Sequence, residues 1–135
     1  MTKKNILSFT AVMFLVILLT STFSLGHVSG HSMDPTFDDG DYVLIMNKKA
    51  PSDNDVVILD TSKIAKFDHD VPELIKRYYK DKSTNGYYIL GDNSAASYDS
   101  RYFGEVEKDS YEGSVILNIT KAQKNMLLTI TNLFK

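Results

Sequence analysis

Apolar and polar positions divide the chain into three stretches. From Ile6 to Leu25 no residue carries a charge, and Lys3 and Lys4 stand just before that run. About 20 residues at 1.5 Å each reach roughly 30 Å, the thickness of a bilayer core. The run predicts one membrane-spanning helix, with the lysines holding the N-terminus in the cytoplasm and the rest of the chain on the outer face. A cleaved signal peptide is the alternative, since Ser24-Leu25-Gly26 offers small residues at the right spacing, but the run is long for a signal h-region. Ser32 lies seven residues beyond Leu25. Fully extended, that distance is at most about 25 Å, so if the helix is an anchor, Ser32 works near the membrane surface.

The middle stretch reads as short strands joined by turns. Tyr42 to Met46, Asp55 to Leu59, Glu73 to Tyr79, Tyr87 to Leu90 and Val115 to Ile119 are rich in β-branched, aromatic and aliphatic residues. Asp38-Asp39-Gly40-Asp41 and Asp81 to Gly86 carry turn chemistry, and Asn47 to Asn54 and Thr61 to Asp70 read as polar connections. The second strand, Asp-Val-Val-Ile-Leu, is apolar enough to be buried. This pattern predicts a small, mainly antiparallel β domain over 27–120, following an anchor over 1–26.

The third stretch changes period. Met126, Leu127, Ile130, Leu133 and Phe134 fall on one face of a helix between Lys121 and Phe134. Two readings stand: a terminal helix over 121–135 packed on the domain by that face, or an amphipathic helix lying on a membrane. It is too short and too polar to span one. Asn118-Ile119-Thr120 matches a glycosylation triplet, a pattern common by chance.

Composition narrows the functional classes. The chain has 135 residues and a net charge of −2, with no basic block, which argues against nucleic acid as a partner. Without cysteine there are no disulfides, thiol nucleophiles or Cys-zinc sites. Three histidines without ligand spacing make no case for a metal, and no cofactor motif is visible.

The candidate chemistry lies in three places. Ser32 follows a glycine-containing turn, leads into Met33-Asp34-Pro35-Thr36, and is a candidate nucleophile. Lys76 sits within an apolar strand. A lysine there is ordinarily a snorkelling edge residue; buried, it would lose pKa through desolvation and become a general base near neutral pH. Ser-Lys pairs are an alternative to Ser-His-Asp. Gly91 to Gly104 is dense in side-chain hydrogen bonders. It reads either as a solvated loop or as a built site, in which Ser97 orients the lysine amine and Asp99 pairs with Arg101. His31 adjoins Ser32, but neighbours in extended chain point to opposite sides, which makes it a poor base for that serine. His69 lies in a polar loop.

Gly30-His31-Ser32-Met33-Asp34-Pro35-Thr36, Lys76-Arg77, and Gly91-Asp92-Asn93 with Ser97 through Gly104 resemble, in order, the sequence boxes of type I signal peptidases, in the bacterial form that uses a Ser-Lys dyad. The resemblance implies a β-rich fold with a catalytic surface at the membrane. It implies Ser32 as nucleophile, Lys76 as general base, Ser97 as the serine bonded to that lysine, and Asp99 with Arg101 as a supporting ion pair. Family members with a hydroxyl in the oxyanion hole carry it two residues before the nucleophile. Gly30 stands there, so backbone N–H groups of Ser32 and Gly30 are expected instead.

There are departures. Tyr78-Tyr79-Lys80-Asp81-Lys82 replaces the usual Gly-x-Pro-Gly-Asp turn, and only 14 residues separate Lys76 from Gly91. That compact layout is more like the endoplasmic-reticulum-type members, which carry histidine where Lys76 stands. Ser94 and Ala96 replace a common Arg and Asn.

The sequence therefore leads to a single-pass cell-membrane serine endopeptidase, its catalytic domain extracytoplasmic, that cuts signal peptides from exported preproteins after small residues. Membrane lipid is the other expected partner. The alternatives are a non-catalytic relative acting as an assembly factor or chaperone for exported, pilus-type subunits, and a self-cleaving Ser-Lys regulator of the repressor class. The apolar run from Ile6 speaks against the latter.

Overall fold

The computed structural model describes residues 2–47 and 49–133. Helix α1 (Lys3–Thr22) contains no glycine or proline, and none of its residues is buried. It is long and apolar enough to cross a membrane. The helix stops at Thr22, before the predicted boundary at residue 26. Phe23–His27 form strand β1, paired with β2 (Tyr42–Asn47) in the register Leu25↔Leu44 and Gly26↔Val43. An apolar count does not mark this end, because Phe23 and Leu25 suit a helix and an edge strand equally.

The other strands are β3 (Val56–Asp60), β4 (Glu73–Tyr78), β5 (Ile89–Leu90) and β6 (Tyr111–Asn118). They make one six-stranded sheet in the order β1-β2-β6-β3-β4-β5, antiparallel throughout. This is the mainly β domain expected. Strand β6 starts earlier than predicted, because polar Glu112, Gly113 and Ser114 hide its first half from an apolar pattern. Only the end of the Tyr87–Leu90 stretch is strand, and Tyr87 makes an isolated bridge to Val106. The 91–104 stretch is also not all loop: a short helix, α2 (Ser100–Phe103), closes it, with Asp99 accepting from the Arg101 N–H at its start.

Strand β3 explains the layout of the core. Its period of two sends Val57 and Leu59 to one face, with Leu74, Ile89 and Phe103. Val56 and Ile58 go to the other, with Val28, Met33, Val43 and Ile45. A strand covered on both faces reads as a continuous apolar run, as this one does. Met33 and Leu59 are fully buried, each contributing about 1.5–3 kcal/mol.

Helix α3 (Ile119–Leu133) begins where β6 ends. Asn118 is bound at its start: its Oδ1 accepts from the Lys121 N–H at 3.0 Å, and its Nδ2 donates to Asp41 at 2.6 Å. Of the two readings of this helix, the packing of its apolar face on the domain does not occur, since none of its residues is buried. Phe134 lies outside the described residues.

Candidate active site

The segment after β1 closes on itself. The Val28 N–H donates to the Asp41 carbonyl and the Gly40 N–H to the Val28 carbonyl. Between them Gly30 takes a φ of +89°, a conformation that favours glycine. Met33 plugs the core beneath, and Ser32 is left on the loop above it.

Strand β4 supplies the lysine. Leu74, Lys76 and Tyr78 share the buried face, because side chains two apart in a strand point the same way. Lys76 is 3% exposed. Its Nζ donates to Ser32 Oγ at 2.8 Å and to the Ile75 carbonyl at 3.1 Å. Burial lowers its pKa from 10.5 to about 8, against the opposing charge of Asp99. A neutral fraction of about a tenth therefore exists at pH 7 and grows steeply above it.

Asp99 is fully buried and heavily bonded. It accepts from Arg101 Nε at 2.8 Å and Nη2 at 2.6 Å, from the Gly91 N–H at 2.9 Å and from Ser97 Oγ at 2.7 Å. Burial alone would raise its pKa, but the bonds from Arg101, Gly91 and Ser97 outweigh it and hold the carboxyl at about 2. Asp99 and Arg101 are thus brought together. Ser97 is placed differently from its expected role. Its hydroxyl donates to Asp99, and among the described residues no hydrogen bond joins it to Lys76.

Gly30 also departs from expectation. Its N–H donates to Asp39 Oδ1 at 2.7 Å and is not available to an oxyanion. Among the described residues the Ser32 N–H makes no hydrogen bond. The histidines stand apart from the pair. His31 Nδ1 lies 3.0 Å from Asp34 Oδ2, and the His69 ring lies against Tyr98 at 4.4 Å.

A clamp on the Ser32 loop went unread in the sequence. Arg77, on the opposite face of β4 from Lys76, makes a two-bond pair with Asp92 at 2.8 and 2.6 Å. Asp92 also accepts from Thr36 Oγ1 at 2.5 Å. Next to it, the Asn93 N–H donates to the Ser32 carbonyl at 2.9 Å and its Nδ2 to the His31 carbonyl at 3.0 Å. The signal available was Arg77 itself, since an arginine inside a strand needs a carboxylate. Gly91 permits the close approach: a Cβ there would stand 2.2 Å from Ser97 Oγ and 2.6 Å from the Ser32 carbonyl.

A cleft of about 460 Å³ opens over Ser32 and Lys76. Val28, Ile58, Leu74 and Tyr98 supply apolar lining, and the Gly26–Gly30 and Pro72–Ile75 segments also line it. A buried amine bonded to a hydroxyl at the end of an apolar cleft can deprotonate that hydroxyl for attack on a bound carbonyl.

Comparison with known proteins gives one family. The model described as Peptidase S24-like matches residues 20–116, from the end of α1 into β6, and so includes both Ser32 and Lys76. No curated protein matches the chain.

Proposed function

The chain belongs to the Peptidase S24-like family, and from that premise we propose that it is a membrane-anchored serine endopeptidase that removes signal peptides from exported preproteins. The family lies in the superfamily that also holds the signal peptidases, and supports a serine hydrolase. The resemblance of the three sequence boxes supports the narrower substrate class. The observation that carries the chemistry is the 2.8 Å contact between Lys76 Nζ and Ser32 Oγ in a buried site.

In this reading Lys76 starts as the neutral amine and accepts the proton of Ser32 Oγ as that oxygen attacks the scissile carbonyl. The Ser32 N–H donates to the developing oxyanion. The protonated lysine returns its proton to the departing amine, leaving an acyl group on Ser32. Lys76 then takes a proton from water as that water attacks the ester, and returns it to Ser32 Oγ as the acid leaves. Asp99 acts at one remove. It bonds Ser97 and the Gly91 N–H, and its charge limits how far burial depresses the lysine.

Substrate would enter as a strand. Among the described residues strand β5 pairs only with Arg77 and Tyr78, which leaves that edge of Glu73–Lys76 without a strand partner beside the cleft. An extended peptide laid there pairs with backbone groups while alternate side chains enter the apolar walls. Helix α1 would hold this site beside substrates still tethered to the membrane, with the domain on the outer face.

Incubation of the detergent-solubilised full chain with a labelled preprotein tests the reading. The parent should cut once, after a small residue, and Ser32→Ala and Lys76→Ala should each lose at least about 100-fold in rate. An intact, folded parent that leaves several preproteins uncut refutes the substrate class. A fully active Lys76→Ala refutes the dyad.

A further inference from the structure

Helix α3 leaves the domain after its first turn without seating its apolar stripe on it. Met126, Leu127, Ile130 and Leu133 form one apolar stripe, and a surface helix ordinarily faces such a stripe toward the core. Here Leu127 is 61% and Leu133 77% exposed. Among the described residues its first turn alone meets the domain, through polar groups, and Leu128 on the side away from the stripe is 62% exposed as well. At about 100° per residue Lys121 lies roughly opposite the centre of the stripe. Its Nζ donates to the Pro35 and Thr36 carbonyls at 2.9 and 2.8 Å, with Asp38 at 3.7 Å. Beside it, Thr120 Oγ1 accepts from the Tyr42 N–H at 2.9 Å.

The sheet carries a second apolar surface. Leu25, Leu44 and Leu117 are cross-strand partners in one row over β1, β2 and β6. They lie on the face opposite the buried Val43 and Ile45, and Leu25 is 72% exposed. The strands that carry this row connect directly to both helices, α1 at the Phe23 end and α3 at the Asn118 end. Strand β1 begins at the residue after α1, and α3 begins at the residue after β6.

We propose that α3 lies in the headgroup layer of the bilayer that α1 enters, its stripe of Met126, Leu127, Ile130 and Leu133 in the acyl boundary and the Leu25–Leu44–Leu117 row turned to the same surface. The proposal rests on the anchoring part of the reading above. Length agrees: 15 residues make a helix of about 22 Å, too short to span a core of about 30 Å. A second copy is the weaker occupant, because four side chains on one short helix fall well below the roughly 800 Å² per partner of a stable interface. A lipid surface needs no such area from one helix when α1 already holds the chain there. Lys121 then couples the seated helix to the turn that follows Ser32, so the bilayer sets the height and tilt of the active site.

The absence of cysteine makes the test direct. Single variants Val12→Cys, Asp81→Cys, Leu117→Cys and Leu127→Cys of the full chain would carry an environment-sensitive fluorophore. They are reconstituted in vesicles of three parts phosphatidylethanolamine to one part phosphatidylglycerol, with and without brominated acyl chains. Probes at 117 and 127 should be quenched by the brominated lipid and be several-fold less open to aqueous iodide than the probe at 81. A probe at 127 as open to iodide as that at 81 overturns the proposal. So does a probe at 127 shielded from iodide without bromine quenching, more strongly at higher protein-to-lipid ratio, which identifies a second copy as the cover. The probe at 12 separates the two readings. If it too escapes the bromine, the anchor has failed; if it alone is quenched, only the seating of α3 has failed.

Discussion

Lys76 carries two opposed demands at the scale of a single residue. Burial makes it a base and also makes it a cost to the fold. With its pKa at about 8, the neutral form is about a tenth of the total at pH 7 and about nine-tenths at pH 9, so kcat/KM on a peptide should rise about tenfold across that interval. A profile flat down to pH 5 would exclude Lys76 as the base. The stability effect has a definite sign. The folded-state pKa lies below the ordinary 10.5, so the folded state disfavours the proton. The penalty is fully present below about pH 8 and fades as pH rises toward 10.5. Lys76→Met should therefore be inactive yet more stable at pH 7, by roughly 2 kcal/mol after the lost hydrogen bonds are set against the removed charge. That gain should shrink above pH 8 and reverse before pH 10.5, where only the lost hydrogen bonds still count, as thermal unfolding of parent and variant in one detergent would register.

Elements position the pair, and they do so through contacts distant in sequence. Strand β4 offers Lys76 on one face and Arg77 on the other. The first meets Ser32, and the second holds Asp92, which reaches Thr36 beyond the serine. Asp92→Asn would leave Arg77 with a neutral partner and loosen the Ser32 loop. The expected result is a kcat reduced about tenfold or more with KM little changed, because positioning rather than binding is lost. Gly91→Ala is the harsher change. Its Cβ meets Ser97 Oγ at 2.2 Å and the Ser32 carbonyl at 2.6 Å, so backbone must shift at a cost of at least about 2 kcal/mol. Unfolding midpoints in denaturant give the cost, and an unchanged midpoint with unchanged kcat would contradict the close approach.

For the whole molecule, the apolar helix gives way to the sheet between Thr22 and Phe23. Removing residues 2–22 takes away a helix that buries nothing in the domain and should leave a cooperatively folded sheet. Removing residues 2–27 also strips β1 from β2 and uncovers Val43 and Ile45, beside which Gly26 lies. That product should unfold at a clearly lower temperature or fail to fold, and circular dichroism melts of the two truncations decide it. Equal melting temperatures would mean that β1 adds nothing to the sheet.

Much of this fold is legible from short-range pattern. The length and apolarity of α1, the two-sided burial of β3, and the alternation that puts Lys76 with Leu74 and Tyr78 all follow from the periods of helix and strand. Those periods act within a few residues, so the sequence by itself determined them, along with the order of the three boxes. Other features depended on which elements lie side by side, and only the tertiary structure decided them. Lys76 meets Ser32 across 44 residues because the sheet order and the Arg77–Asp92–Thr36 clamp draw the Ser32 loop over β4. Ser97 gives its proton to Asp99, and Gly30 gives its N–H to Asp39, because those carboxylates lie within reach in the fold. The outward stripe of α3 is the clearest case. Periodicity predicts an amphipathic helix, but the stripe finds no seat on the domain, to which Lys121 ties the first turn through the Pro35 and Thr36 carbonyls. Distances between segments far apart in the chain are not written in any local pattern.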